Sequence, residues 1–161
     1  MIVMKNKYLI IGITFILLIG FSCVYFIFFQ YDVITCTDSI KENTYSINNS
    51  YKIYYRDDLV KSVIVERKIE SNNNTLTDYF IKNYKDDFKK SNKEYGGYTI
   101  KSETNEDGAK VIAKIDFDKV DFSKLLEKKS YLKDDVKNKK IKISGIYKLL
   151  QIDENSCKGE K

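Results

Sequence analysis

"SYKIYYRDDLVKSVIVERKIES", residues 50–71, decides how the rest of the chain is read. Tyr51, Ile53 and Tyr55 share one face of an extended segment, and Val63, Val65 and Ile69 share a face after Asp57 and Asp58. A period of two on either side of an acidic pair predicts a β-hairpin with one apolar side, turning at Asp57–Asp58. "SNNN" then interrupts the pattern. In "TLTDYFIKNYKDDFKKSN" the spacing changes to four, with Leu76, Phe80, Tyr84 and Phe88 in register and Thr75 and Asp78 placed like a capping pair. That spacing predicts an amphipathic helix of about four turns.

"YGG" at 95–97 breaks the helix, and alternation returns in "YTIKSET" and "AKVIAKIDF". Val111, Ala113, Ile115 and Phe117 point one way, and the turn "NEDG" carries the Asp-Gly that hairpins favour for backbone reasons. A short helix is expected over "DFSKLLEKK". "LKDDVKNKKIK", basic and poor in apolar residues, reads as a loop. A last helix over "SGIYKLLQIDE" brings Ile146, Leu149 and Leu150 towards the core before Cys157. The chain shows no repeats. The expected fold class is α+β: antiparallel β-hairpins packed with helices on one face, preceded by one N-terminal transmembrane helix.

The membrane segment is the apolar run from Tyr8 to Phe29, which contains no charge. As a helix it spans roughly 33 Å, enough for the ~30 Å hydrocarbon core. Lys5 and Lys7 precede it and no Lys or Arg comes after it until Lys41, which by the positive-inside rule leaves the N-terminus in the cytoplasm. The domain plan is then a cytoplasmic N-terminus (1–7), a transmembrane anchor or lipoprotein-type signal (8–29), a connector (30–34) and an extracytoplasmic α+β domain (35–161). Cys23 lies inside the run and is the alternative lipidation site. Gly20, Phe21 and Ser22 before it make a poor lipobox, and "VYFIFF" continues the apolar stretch beyond it. The reading favours an uncleaved span, with lipidation at Cys23 or cleavage to a secreted product as the alternatives.

Charge and composition exclude some functions. Two of the 28 basic residues precede the run, leaving an excess of three over the 23 acidic residues. Nucleic-acid binders carry a much stronger basic footprint, so no nucleic-acid partner is expected. The absence of Pro, His and Trp beside abundant Lys, Asn, Ile and Tyr reads as codon bias of an AT-rich genome rather than as a functional signal. Without histidine the usual general base, the commonest metal ligand and every Ser–His or Cys–His pair are missing. Asp116, Asp118 and Asp121 with Glu106 and Asp107 invite a calcium reading, but a loop with a Gly turn and a distal bidentate Glu is lacking. No metal or cofactor is expected and no catalytic residue is assigned. Tyr-rich "YKIYY" and "EYGGY" read as outer core rather than a stacking platform, and "KNKKIK" as a solvated loop rather than a contact with anionic polymer or lipid.

Outside the run two cysteines remain, Cys36 and Cys157. On the oxidising side of a membrane, two cysteines bracketing a domain read as one disulfide, with two separate buried thiols as the alternative. There is no CxxC, so thiol–disulfide catalysis is not expected.

"TCT" on a first strand, two hairpins divided by a helix, "IDFDKVDFSKL" and a terminal helix running into "CK" together resemble YehR-type small bacterial lipoproteins over most of Thr35–Lys158. The resemblance implies the fold, an envelope location and a Cys36–Cys157 pair, since the family has cysteines at matching places. It implies no activity. The departure is at "GFSC", where those lipoproteins have a well-formed lipobox. The function expected is a membrane-anchored extracytoplasmic module, non-enzymatic, binding or structural in the cell envelope, with an envelope protein or wall polymer as partner. The alternative is a carboxylate-based hydrolase acting on an envelope polymer.

Overall fold

Asp57 and Asp58 both adopt left-handed backbone, with φ of 51° and 65°. A two-residue hairpin turn that matches the twist of its strands needs positive φ at both positions, and Asp tolerates it. The strands it joins are β2 (Tyr45–Arg56) and β3 (Leu59–Ser71), with Tyr51 opposite Val65 and Ile53 opposite Val63. The computed structural model describes residues 31–105 and 108–160. Around this hairpin the sheet is completed by β1 (Asp32–Lys41), β4 (Tyr98–Asn105), β5 (Gly108–Asp116) and β8 (Cys157–Glu160) in the order β4-β5-β3-β2-β1-β8. A small hairpin of β6 (Val136–Lys137) and β7 (Lys140–Lys142) joins through β7, which pairs with Leu59 and Val60 of β3. Every pairing is antiparallel.

β1 takes in residues 32–34 of the expected connector, because Asp32, Val33 and Ile34 pair with Tyr55, Tyr54 and Ile53 with no turn residue to release them. The sheet therefore has an entry end, where Asp32, the Asp57–Asp58 turn and β7 lie, and a far end with the β1–β2 loop, Ser71 and Gly108. No helix among the described residues is long and apolar enough to cross a membrane. The 8–29 run and Cys23 lie outside the described residues.

Among the described residues three helices, α1 (Asn74–Tyr95), α2 (Phe122–Lys128) and α3 (Ile143–Leu150), bury side chains in clusters built on one face of the sheet. The cap of α1 is Asn73 rather than Thr75: its side chain accepts from the Leu76 N–H at 3.2 Å. The buried positions are Thr77, Ile81 and Tyr95, while Leu76, Phe80, Tyr84 and Phe88 are half-buried. Each step of four residues overshoots a full turn by about 40°, so a strict four-spaced stripe winds off any flat surface it starts on. Gly97, with φ of 80°, turns the chain from α1 into β4. A Cβ there would stand 2.6 Å from the Asp116 carbonyl oxygen.

Two corrections concern the last third. The expected loop "LKDDVKNKKIK" is a 3-10 segment (Ser130–Asp135) followed by the β6–β7 hairpin, whose turn residues Asn138 and Lys139 take φ of 52° and 58°. Leu132 and Ile141 are wholly buried, and two such anchors suffice to fold a polar stretch onto the core. The last helix stops at Leu150 rather than Glu154, because Gln151 turns left-handed (φ 56°) and sends the chain into β8. Around the entry end Ile53, Val63, Ile115, Phe122, Leu125, Leu132, Ile141 and Ile146 belong to one large cluster. Towards the far end a smaller cluster of Ile47, Ile69, Ile81, Ala109 and Val111 lies under Phe80, Tyr84 and Tyr45.

Candidate functional site

Cys36 and Cys157 form a disulfide between directly opposed residues of β1 and β8. The link therefore joins strand to strand, not the first strand to a terminal helix. Three of the acids considered for calcium, Asp116, Asp118 and Asp121, are engaged in local caps and an ion pair. Asp116 accepts from the Asp118 N–H and caps the Phe117–Lys119 turn, and Asp118 pairs with Lys61. Asp121 caps α2 by accepting from the Ser123 and Lys124 N–H groups at 3.1 and 3.3 Å. Those bonds hold its carboxyl below the usual range, the Lys124 N–H contributing most. Glu106 and Asp107 lie outside the described residues. Of the tyrosines in the two Tyr-rich stretches, Tyr51, Tyr95 and Tyr98 are buried and Tyr54 and Tyr55 half-buried, and burial pushes the Tyr98 hydroxyl up to about 12.

A broad concavity lies at the far end. It is a shallow depression of about 1010 Å³ bounded by Lys41 and the β1–β2 loop (residues 42–44), Ser71–Asn72 and the start of β5. A smaller hollow of about 470 Å³ continues it along β1–β3, and both share Glu66 and Lys68. These residues lie on the sheet face opposite the helices, as alternation from buried Val65 and Ile69 requires. Its hydroxyls and amides come from Thr37 and Ser39 on β1 and Ser46, Asn48 and Ser50 on β2. Four of its charges are paired: Lys110 with Glu66 at 2.8 Å, and Lys68 with Glu70 at 2.6 Å. The Lys68 bond, then one from the Ser46 hydroxyl, holds the Glu70 carboxyl below its usual value. Gly108 makes the floor possible, since a Cβ at its φ of 146° would meet the Ile69 carbonyl oxygen at 2.0 Å.

Chemically this is a surface for hydrogen bonding. Glu66 and Glu70 sit four residues apart on one strand, about 13 Å, which is wider than the ~5–9.5 Å separations of glycosidase acid pairs. Glu70, Asp121 and Asp135 have lowered pKa values, the opposite of what a general acid needs. The Glu66–Glu70 pair therefore gives the carboxylate-hydrolase alternative no support.

Two polar networks escaped the sequence reading. On the helix-facing side, Asp38, Asn49 and Arg67 stand side by side on β1, β2 and β3. The Asn49 amide donates to the Asp38 carboxylate at 2.5 Å and the Tyr51 hydroxyl donates to it at 3.2 Å. The Arg67 guanidinium lies over the Tyr84 ring at 3.9 Å, tying the sheet to α1. Burial, then the Asp38 charge, raises the Tyr51 hydroxyl. At the entry end buried Asp135 accepts from the Ser144 hydroxyl and the Lys148 ammonium, both at 2.6 Å. Those bonds, Lys148's first, lower the Asp135 carboxyl. An isolated Asn, Asp or Arg in a polar strand gives no sequence signal of partners on a neighbouring strand or a helix.

No protein-family model matches the chain, and no curated protein matches it. Among solved structures it is similar to an NMR structure of a protein from Streptococcus pneumoniae TIGR4. The two share 13% identity over 81% of this chain and 86% of the other, at a TM-score of 0.45.

Proposed function

We propose that this protein is an extracytoplasmic module of the cell envelope, anchored by the 8–29 run, that binds its partner without chemistry through the far-end depression. The observation that carries the reading is the Cys36–Cys157 disulfide, since such a bond persists in oxidising compartments. Lys5 and Lys7 before the uncharged run support export of the domain beyond it. The resemblance of Thr35–Lys158 to YehR-type lipoproteins fits the same location. The hydroxyl- and amide-lined depression with its paired charges supports recognition of an envelope protein or a wall polymer.

The test is external protease applied to intact spheroplasts carrying the full chain, with non-reducing peptide mapping of the products. The domain should be digested without lysis, and the Cys36 and Cys157 peptides should migrate as one. A domain protected until the membrane is breached would overturn the location. Mass spectrometry of the extracted chain should find Met1-side residues retained. A mature chain starting at lipid-modified Cys23 would replace the span by a lipid and leave the location standing.

A further inference from the structure

Charge is not spread evenly over the domain. Between Lys124 and Lys142 fall eight lysines and three acids, an excess of five, whereas the rest of the chain beyond the apolar run has an excess of two acids. One of the three acids, Asp135, is buried and turned onto Lys148, so it does not offset the outward charge. Lys128, Lys133, Lys137, Lys139 and Lys140 are exposed, and none forms an ion pair among the described residues. In their midst Tyr131 is 54% exposed, with the Lys129 ammonium 6.0 Å from its ring centroid. The neighbouring Asp57–Asp58 turn borders this lobe, its Asp58 carbonyl accepting from the Ile143 N–H.

Register places the lobe. Asp32 is opposite Tyr55, Tyr55 opposite Val60, Val60 opposite Ile141 and Ile141 opposite Val136. Asp32 and the lysine lobe thus share one transverse row, four strand spacings or about 19 Å apart. Only Gln30 and Tyr31 separate β1 from the apolar run in sequence. We infer that the lysine lobe from Lys124 to Lys142, with Tyr131, is a docking surface for the anionic phospholipid headgroups of the bilayer that anchors the chain. This rests on the anchoring proposed above. Unpaired lysines meet the phosphates, and an exposed tyrosine belongs at the depth where headgroups meet acyl chains. That aromatic favours a bilayer over a soluble polyanion, which offers charge but no apolar boundary.

The test uses the full chain reconstituted into vesicles of phosphatidylcholine alone or of equimolar phosphatidylcholine and phosphatidylglycerol. After flotation, a membrane-impermeant amine reagent is applied and labelling is read by peptide mass spectrometry. Lys82, Lys89 and Lys90, exposed on α1, are the reference. Each lysine at an anionic surface is held about fivefold more tightly, so labelling of Lys137, Lys139 and Lys140 should fall about fivefold or more in the anionic vesicles and recover in high salt. The exposed-turn variant K137Q/K139Q/K140Q should keep its fold and lose the protection of Lys133. Equal labelling in the two bilayers overturns the docking. So does equal protection by soluble poly(glycerol phosphate) over zwitterionic vesicles, which would assign the lobe to a polymer. A chain that does not float with either vesicle overturns the docking together with the anchor, whereas flotation without protection overturns the docking alone.

Discussion

At the entry end of the sheet Phe122, Leu125, Leu132, Ile141 and Ile146 come from separate segments to close over Ile53, Val63 and Ile115. At the far end the first turns of α1 rest on Ile47, Ile69, Ala109 and Val111, and Phe80 is only half-buried among Tyr45, Tyr79 and Tyr84. The entry end also holds a buried, doubly bonded carboxylate in Asp135, whereas the far end presents charge pairs to solvent over the broad depression. Stability and exposure are thus divided along the strands. Apolar packing concentrates at the entry end, beside the lysine lobe, and leaves the far end with polar surface open to solvent.

Removing the disulfide should have the largest effect, and it should not respect that division. A cross-link spanning 121 residues restricts the unfolded chain, and the chain-entropy model gives about 4–5 kcal/mol for a loop of that length. Urea titration of a Cys36→Ala/Cys157→Ala variant should show that loss across the whole transition. A drop confined to one probe region would mean that the bond acts locally on β8.

Next comes a direct contrast between the ends. Ile146→Ala, at a wholly buried entry-end position, should cost about 2–5 kcal/mol. Phe80→Ala should cost about 1–2 kcal/mol, because only part of the ring leaves water. Thermal melts of both variants check the order, and a larger loss for Phe80→Ala would reverse the account of where stability resides.

Asp135→Asn sharpens the entry end further. The native carboxyl lies below its ordinary 3.8, so its contribution is fully present above that value and is lost as pH falls through the native one. Losing its charge-assisted bonds should cost about 1.5–3 kcal/mol at neutral pH. The gap between wild type and variant should close below about pH 4. A gap that persists unchanged in acid would show that packing, not charge, carries the contribution of Asp135.

The central hairpin was legible because alternation in Val63, Val65 and Ile69 has one structural meaning, and the Gly96–Gly97 break because few residues take its backbone angles. The second hairpin was legible for the same reason as the first, with Val111, Ala113 and Ile115 all buried. The β6–β7 hairpin was not, since Leu132, Val136 and Ile141 are too few and too widely spaced to show a period. β8 was missed because Cys157–Glu160 is polar and short, and its pairing with β1 depends on a partner more than a hundred residues away. The far-end depression left no mark for a related reason: Ser46, Asn48 and Lys68 look like any solvated strand face until strand pairing sets them beside one another.

The disulfide also has a mechanical meaning. β1 and β8 run antiparallel with Val33 opposite Glu160, so both ends of the domain leave the sheet at the same edge. A pull applied between them would unzip Val33, Ile34 and Thr35 from their partners and then arrive at Cys36 and Cys157. From there the load passes through sulfur, and residues 37–156 form a closed loop that carries no tension. Under stretching, the domain would lengthen by a few residues at each terminus and then stop, its interior shielded from the force by one covalent bond.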